Sequence, residues 1–203
     1  MTGPLESAMA KYAAGHDAEL ATVYDLAAPA LYGFLVRLCR DRALAEDLTH
    51  ETFLRVHAAR ATYRTGARVQ PWMFAIGRRL FLDNIRSRRR EGPSLDGPNA
   101  DGERPSDPGI AAADPSPSEL VVGHRLALRI EELLARMPEN QATAYRLLKQ
   151  ELLSVAEAAA VLGTTETTVK LRAHRAYESL RKALGTEWDL SGTSASRYAN
   201  GAT

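Results

Sequence analysis

The sequence predicts an all-α fold made of two small helical modules joined by a flexible linker. Three observations carry this. Aromatic residues make up only 6% of the chain and alanine is abundant, a balance that favours helices over sheets. Apolar residues recur at steps of three and four on both sides of the chain's middle. Between them lies a stretch, 92–118, that holds six of the ten prolines and keeps interrupting any helix. The 203 residues suffice for one medium domain or two small ones.

The first module is expected over 17–91. Leu20, Val23, Tyr24, Ala27, Leu31, Phe34, Leu35 and Leu38 line one face of a helix over 17–40. Pro29 marks either a kink or a fresh helix start. A second helix over about 43–60 sets Leu44, Leu48, Thr52, Phe53 and Val56 on one side and Glu46, Asp47, His50, Glu51 and Arg55 on the other. Residues 63–70 contain Gly66 and lead into Pro71, which predicts a loop followed by a helix whose first turn takes the proline. That helix, 71–90, buries Met73, Phe74, Ile76, Leu80 and Phe81. Cys39 reads as a packed helix residue.

The linker is acidic: 91–119 carries 7 acidic and 1 basic side chain. About 25 flexible residues have an r.m.s. span of roughly 28 Å and reach about 80 Å fully extended. The second module, 119–185, opens with an amphipathic helix through Leu126, Ile130, Leu134 and Met137 that stops at Pro138. A helix over about 139–150 follows. Ser154 with Glu157 three residues on is a capping box for a short helix. Gly163 ends it as a left-handed cap, and Thr164-Thr165 starts a last helix rich in basic and small polar residues. Helix, glycine-bearing turn and basic second helix make a helix-turn-helix pattern. Residues 186–203 are polar and non-periodic, which predicts a disordered tail.

Several function classes are disfavoured. The longest apolar runs fall well short of the ~18 residues needed to cross a bilayer. The N-terminus lacks the pattern of a signal peptide, and the single cysteine excludes an internal disulfide framework; the expected compartment is the cytoplasm. Glu46, Asp47 and Glu51 could serve acid/base chemistry or bind metal, but no phosphate loop or nucleophile pattern accompanies them, and the five histidines lack ligand spacing. A partner-docking face is the simpler reading. No enzyme activity, cofactor, metal or small-molecule substrate is expected.

Charge distribution points to nucleic acid. The net charge is only +1, yet 60–90 carries 9 basic and 1 acidic side chain and 164–184 carries 5 and 2. These are two separate phosphate-binding candidates. In the first, Arg78, Arg79, Arg86, Arg88, Arg89 and Arg90 alternate with aromatic and aliphatic residues. Arginine grips phosphate or guanine, and aromatics stack on unpaired bases; for Trp72, core and stacking roles both stay open. In the second, Thr167, Thr168, Lys170, Leu171, His174 and Arg175 lie near the start of the last helix, where a recognition helix meets base edges, while Val169, Ala173, Ala176 and Leu180 suit its packed side.

These segments resemble a known family. AEDLTHETFLRVH (45–57) with PWMFAIGRRLFLDNIRSRRR (71–90) resembles region 2 of bacterial extracytoplasmic-function (ECF) sigma factors, and 137–184 resembles their region 4. The resemblance implies a dissociable promoter-specificity subunit of bacterial RNA polymerase. By it, Asp47, His50, Glu51, Thr52 and Phe53 fall in the stretch that docks on the core enzyme. The loop 62–70 with Trp72, Arg78, Arg79, Asp83 and Arg86 falls where the −10 element is read and opened. Thr168, Lys170, Leu171, His174 and Arg175 match the −35 reader. The partners implied are core polymerase, promoter DNA and an anti-sigma factor, often membrane-bound in this family. The chain departs from the family's usual residues at His50 (glutamine), Arg79 (asparagine) and Leu171 (serine). A stand-alone helix-turn-helix regulator is the alternative, but it leaves 43–90 unexplained. Opposite charges on linker and modules suggest that free modules pack together and hide both basic surfaces.

Overall fold

The computed structural model describes residues 3–90 and 117–185. Among these residues there are eight α-helices and no strand: α1 (Pro4–Ala13), α2 (Glu19–Cys39), α3 (Arg42–Ala59), α4 (Val69–Arg90), α5 (Pro117–Ala135), α6 (Glu139–Lys149), α7 (Val155–Leu162) and α8 (Glu166–Leu184), with a 3₁₀ turn at Arg60–Thr62. The all-α expectation holds. The tail at 186–203 and all of the expected linker except Pro117 and Ser118, which open α5, lie outside the described residues.

The first module is α1 to α4. The sequence reading began it at residue 17 and missed α1. That helix is short, yet Ala8, Met9 and Tyr12 are all buried against α2 and the 3₁₀ turn. Pro4 sits in its first turn, where a missing N–H costs nothing. Helix α2 runs unbroken through Pro29; the proline is exposed, and the loss is one backbone bond on the solvent side. Arg40 then adopts a left-handed conformation (φ 56°) and turns the chain. The Asp41 side chain caps α3 by accepting from Leu44 N at 3.1 Å. Helix α4 starts two residues before Pro71, earlier than expected.

Three helices meet at Gly77. A Cβ there would lie 3.1 Å from Thr52 Oγ1, 3.3 Å from Leu35 Cδ2 and 3.4 Å from Leu31 Cδ1. Glycine therefore lets α4 settle onto α2 and α3. Phe34 and Phe74 stack one helical turn away, with ring centroids 4.5 Å apart, an arrangement that adds to plain area burial.

The second module has its own cluster: Leu134, Ala142, Tyr145, Ala176, Leu180 and Leu184. Arg146, 8% exposed, donates to Glu131 Oε2 at 2.8 Å and so ties α6 to α5. Burial pushes the Glu131 carboxyl up, but Arg146, the Gln150 hydrogen bond and Arg37 together outweigh it and hold the group below the usual range. Burial also pushes Tyr145 up to about 12. In α7 both halves of the expected capping box form, and Gly163 adopts the left-handed cap at φ 60°.

The modules are not independent. Leu147, Leu148, Leu153, Ala158, Val161, Leu162 and Val169 join the same buried cluster as Leu31, Phe34 and Met73 of the first module, and α7 packs on α4. Replacing Gly77 by valine should cost about 2–3 kcal/mol through overpacking. Urea unfolding followed by circular dichroism measures it; an unchanged midpoint would mean the crossing is looser than described.

Candidate nucleic-acid and partner interfaces

Three faces carry the residues singled out from the sequence. The first lies along α4 and the turn before it. Trp72, Arg79, Asp83 and Arg86 are spaced 7, 4 and 3 apart, so they share one side of the helix. Arg79, Asp83 and Arg86 are exposed and Trp72 half-buried. Its ring centroid lies 5.8 Å from that of Tyr63, so Trp72 is both packed and accessible at one edge. Asp83 and Arg86 pair with each other at 3.0 Å, an exposed pair worth little on its own. Arg78 departs from this group. It points off the stripe and is half-buried; burial lowers its pKa, with Glu139 opposing and Arg172 adding to the shift.

The turn itself is organised by short contacts. Tyr63 Oη donates to Ala67 O at 2.5 Å, Ala67 N donates to Arg64 O at 2.9 Å, and Gly66 takes φ 89°. Arg64, Thr65 and Arg68 are exposed.

Helix α1, absent from the sequence reading, pins both ends of this turn. Tyr12 Oη hydrogen-bonds to His57 Nδ1. The Arg60 guanidinium lies 5.8 Å over the Tyr12 ring and donates to His57 O at 2.9 Å. At the other end, Glu6 Oε1 accepts from Val69 N at 3.3 Å, satisfying one of α4's free N–H groups. Residues 6, 12, 57 and 60 share no spacing, so nothing in the sequence could have joined them.

The second face is on α8. Lys170, Leu171, His174 and Arg175 are exposed and fall on one side, while Val169, Ala176 and Leu180 are buried on the other. Thr168 departs from the expectation. It is only half-exposed, and its hydroxyl is engaged with that of the capping Thr165 at 2.8 Å, so it serves the helix start first.

The third face is the acidic side of α3. Asp47 and His50 are exposed, and Glu51 Oε1 accepts from Arg55 Nε at 2.8 Å. Thr52 and Phe53, of the stretch the resemblance assigns to docking, lie on the packed side of α3, where their spacing set them. Thr52 is fully buried, with its hydroxyl donating to Leu48 O at 2.6 Å. Phe53 is 7% exposed and packs on Tyr24, centroids 4.6 Å apart. Beside them opens a shallow groove of about 480 Å³ lined by Tyr24, Asp25, Tyr32, Glu46, Thr49 and His50. Tyr24, expected on the apolar face of its helix, is 39% exposed, and Tyr32 is 36% exposed. Cys39 is half-buried and donates to Leu35 O at 2.9 Å, and burial raises its pKa, which makes it a poor nucleophile.

The modules meet through charged groups as well as apolar ones. Arg37 Nη2 lies 2.5 Å from Glu151 Oε1, Gln70 Nε2 donates to Glu151 Oε2 at 3.0 Å, Arg68 Nη1 lies 3.0 Å from Glu157 Oε2, and Arg40 Nη2 donates to Ala135 O at 2.8 Å. Burial pushes the Glu151 carboxyl up, with Arg37 opposing. The sequence suggested that packing would hide both basic surfaces. Packing occurs, but the α8 face stays open.

Two basic faces, one aromatic-flanked and one on a helix-turn-helix, have the charge that suits nucleic acid; the acidic face suits a protein partner. Comparison with known proteins agrees. Sigma-70 region 2 matches residues 23–91 and Sigma-70, region 4 matches 127–180. The chain is 35% identical to the RNA polymerase sigma factor CarQ of Myxococcus xanthus over 158 residues, covering 78% of this chain and 84% of that one. It is 32% identical to the ECF RNA polymerase sigma factor EcfG of Rhodopseudomonas palustris, covering 78% and 81%. The fold also matches that of the sigma factor RpoE from Bartonella quintana, solved with the anti-sigma factor NepR (TM-score 0.61, 24% identity, 81% of this chain and 95% of that one). The chain belongs to the ECF RNA polymerase sigma factors. It is an alternative sigma factor, directing promoter-specific initiation by core RNA polymerase.

Leu152, between α6 and α7, takes φ 52° and is 75% exposed. A left-handed non-glycine residue costs roughly 1–2 kcal/mol, and glycine loses about 0.5–1 kcal/mol more backbone entropy on folding. Leu152→Gly should therefore stabilise the chain by about 0.5–1 kcal/mol. A lower thermal midpoint would mean the leucine side chain makes contacts that matter.

Proposed function

We propose that the three faces divide the work of initiation. Asp47, His50 and Glu51, with the groove between α2 and α3, dock on core polymerase. The turn 63–70 with Trp72, Arg79, Asp83 and Arg86 reads and opens the −10 element. Lys170, Leu171, His174 and Arg175 read the −35 element. The observation that carries this is the sorting on α8: four side chains able to meet base edges or phosphates stand free on one side, while the opposite side is fully packed. Arginine and lysine there suit guanine and phosphate, and Leu171 suits the thymine methyl.

Arg79 replaces the family's usual asparagine. A guanidinium offers donors only, where an amide offers both donor and acceptor. The −10 preference of this chain should therefore shift towards bases that present acceptors. Arg78 takes a backbone or module-contact role rather than a base-reading one, since it lies off the stripe.

Two related sigma factors are described with an anti-sigma partner: RpoE with NepR and CnrH with the cytosolic domain of CnrY, whose fold matches at TM-score 0.58 and 18% identity, covering 91% of this chain and 99% of that one. An anti-sigma factor is accordingly the regulatory partner proposed here. A membrane-held one would place the inactive chain at the inner membrane and the active chain in the cytoplasm.

Reconstitution with sigma-free core polymerase tests the division. The wild type should co-elute with core and give discrete run-off transcripts. Asp47→Ala with Glu51→Ala should weaken co-elution while leaving −35 duplex binding by the protein unchanged. Arg175→Ala should cost about 1–3 kcal/mol in −35 recognition and leave core binding intact. Duplex binding without any core complex would mean a stand-alone regulator.

A further inference from the structure

We infer that α1 is a positioning element for strand opening: Glu6 and Tyr12 hold the turn 63–70 and Trp72 in the arrangement that receives an opened strand, without touching DNA themselves. The inference rests on the proposed assignment of that turn to the −10 element. It adds Glu6, Tyr12, His57 and Arg60 to the residues on which opening depends.

The turn has no core of its own. From Ala61 to Arg68 every residue except Tyr63 is exposed, and Val69 is the first buried one. A segment with so few buried contacts does not keep one shape by itself. Gly66, at φ 89°, loosens it further, because glycine has many other conformations open to it. Inside the turn, Tyr63 Oη donates to Ala67 O and Ala67 N donates to Arg64 O. These bonds close the turn on itself but do not fix it to the rest of the module.

Helix α1 supplies polar contacts at both ends. At the entry, Tyr12 Oη bonds to His57 Nδ1, and the Arg60 guanidinium lies 5.8 Å over the Tyr12 ring. Arg60 O then accepts from Tyr63 N at 3.1 Å, and the Tyr63 ring lies 5.8 Å from that of Trp72. A continuous set of contacts thus runs from Tyr12 through Arg60 and Tyr63 to Trp72. At the exit, Glu6 Oε1 accepts from Val69 N at 3.3 Å and so fixes the first residue of α4. Burial raises the Tyr63 pKa and the Glu6 charge adds to the shift, which sets that carboxylate beside the turn as well. Arg68 and Gln70 have their partners in the second module.

Tyr12 is 0% exposed, so it cannot meet a nucleotide, and Glu6 carries the charge that a phosphate avoids. Any effect of either on DNA passes through the turn. A receiving segment ordered on folding has less entropy to lose on binding, so the tethers should appear as affinity for the open strand.

The test uses the full chain assembled with core polymerase, on a promoter located by run-off transcription. Tyr12→Phe removes the hydroxyl and keeps the buried ring. Glu6→Ala removes the acceptor and Glu6→Gln keeps it. Circular dichroism verifies the helices. Fluorescence anisotropy reads binding of the single-stranded non-template −10 oligonucleotide and of a duplex carrying only the −35 element, and permanganate reactivity of the −10 thymines reads opening. Tyr12→Phe and Glu6→Ala should each weaken single-strand binding about three- to tenfold and slow opening to match, the size of one hydrogen bond. Core co-elution and −35 duplex binding should stay at wild-type levels, and Glu6→Gln should behave as wild type. Folded variants with unchanged strand binding and opening overturn the inference. Losses shared equally by core binding, duplex and single strand also overturn it, since they reflect fewer folded molecules rather than a misplaced turn. A Glu6→Gln chain as defective as Glu6→Ala overturns the role given to Glu6 as acceptor. If Glu6→Ala does not fold, Tyr12→Phe decides. Trp72→Ala reports on the −10 assignment separately. If it leaves strand binding unchanged, that assignment fails and the inference with it; if it weakens the strand and the α1 variants do not, the assignment stands and only the inference fails.

Discussion

The close crossing at Gly77 sets the geometry of the first module and, through α4, of everything that meets it. With no Cβ between them, α4 and the α2–α3 pair approach within ordinary contact of Thr52, Leu31 and Leu35. That leaves α4 with three occupied sides. One enters the core through Met73, Phe74 and Phe81. A second carries Trp72, Arg79, Asp83 and Arg86. A third supports α7. A helix used on three sides has little freedom to rotate, because turning one side out of place would misplace the other two. The same crossing buries Thr52, whose hydroxyl bonds within α3, and so removes from the docking face a residue that family position had put there.

The two basic faces are held by different means. The α8 face rests on local devices, a capping box, a glycine turn, a threonine cap and a small apolar cluster within 134–184, with Val161, Leu162 and Val169 buried in the cluster shared with the first module. The face on α4 and the turn before it is assembled from distant pieces. Its turn is pinned at one end by Tyr12, His57 and Arg60 and at the other by Glu6, and Arg68 and Gln70 then meet Glu157 and Glu151 of the second module. A recognition helix needs to be preformed to enter a groove, and α8 is fixed by contacts of its own.

Charge pairs differ in burial both within and between the modules. Arg146 with Glu131 joins α6 to α5 where Arg146 has little access to water, while the pair of Asp83 and Arg86 is exposed. Between the modules, the Glu151 side chain, paired with Arg37, has little access to water, and Arg68, paired with Glu157, is 45% exposed at its side chain. Exposed pairs are weak and screened by salt.

Local chemistry was legible in the sequence because it acts over a few residues. Ser154 with Glu157, Gly163, Pro71, Pro138 and the three- and four-residue apolar steps determined most helix boundaries, the helix-turn-helix and the exposed side of α8; motif order alone pointed to the family. What depended on distant residues could not be read. Helix α1 was missed because ten residues with one apolar face say little until α2 and the 3₁₀ turn bury Met9 and Tyr12. Spacing set Thr52 and Phe53 on the apolar side of α3, where α2 and α4 cover them, although family position put them in the docking stretch; Tyr24 looked like core until the fold left it beside a groove. The sequence by itself determined which segments are helices, how they are capped and what chemistry each side offers. Only the tertiary structure decided which sides face water, which residues pin the turn before α4 and which carboxylates meet it, because burial and charge pairing are set by what comes near in space rather than along the chain.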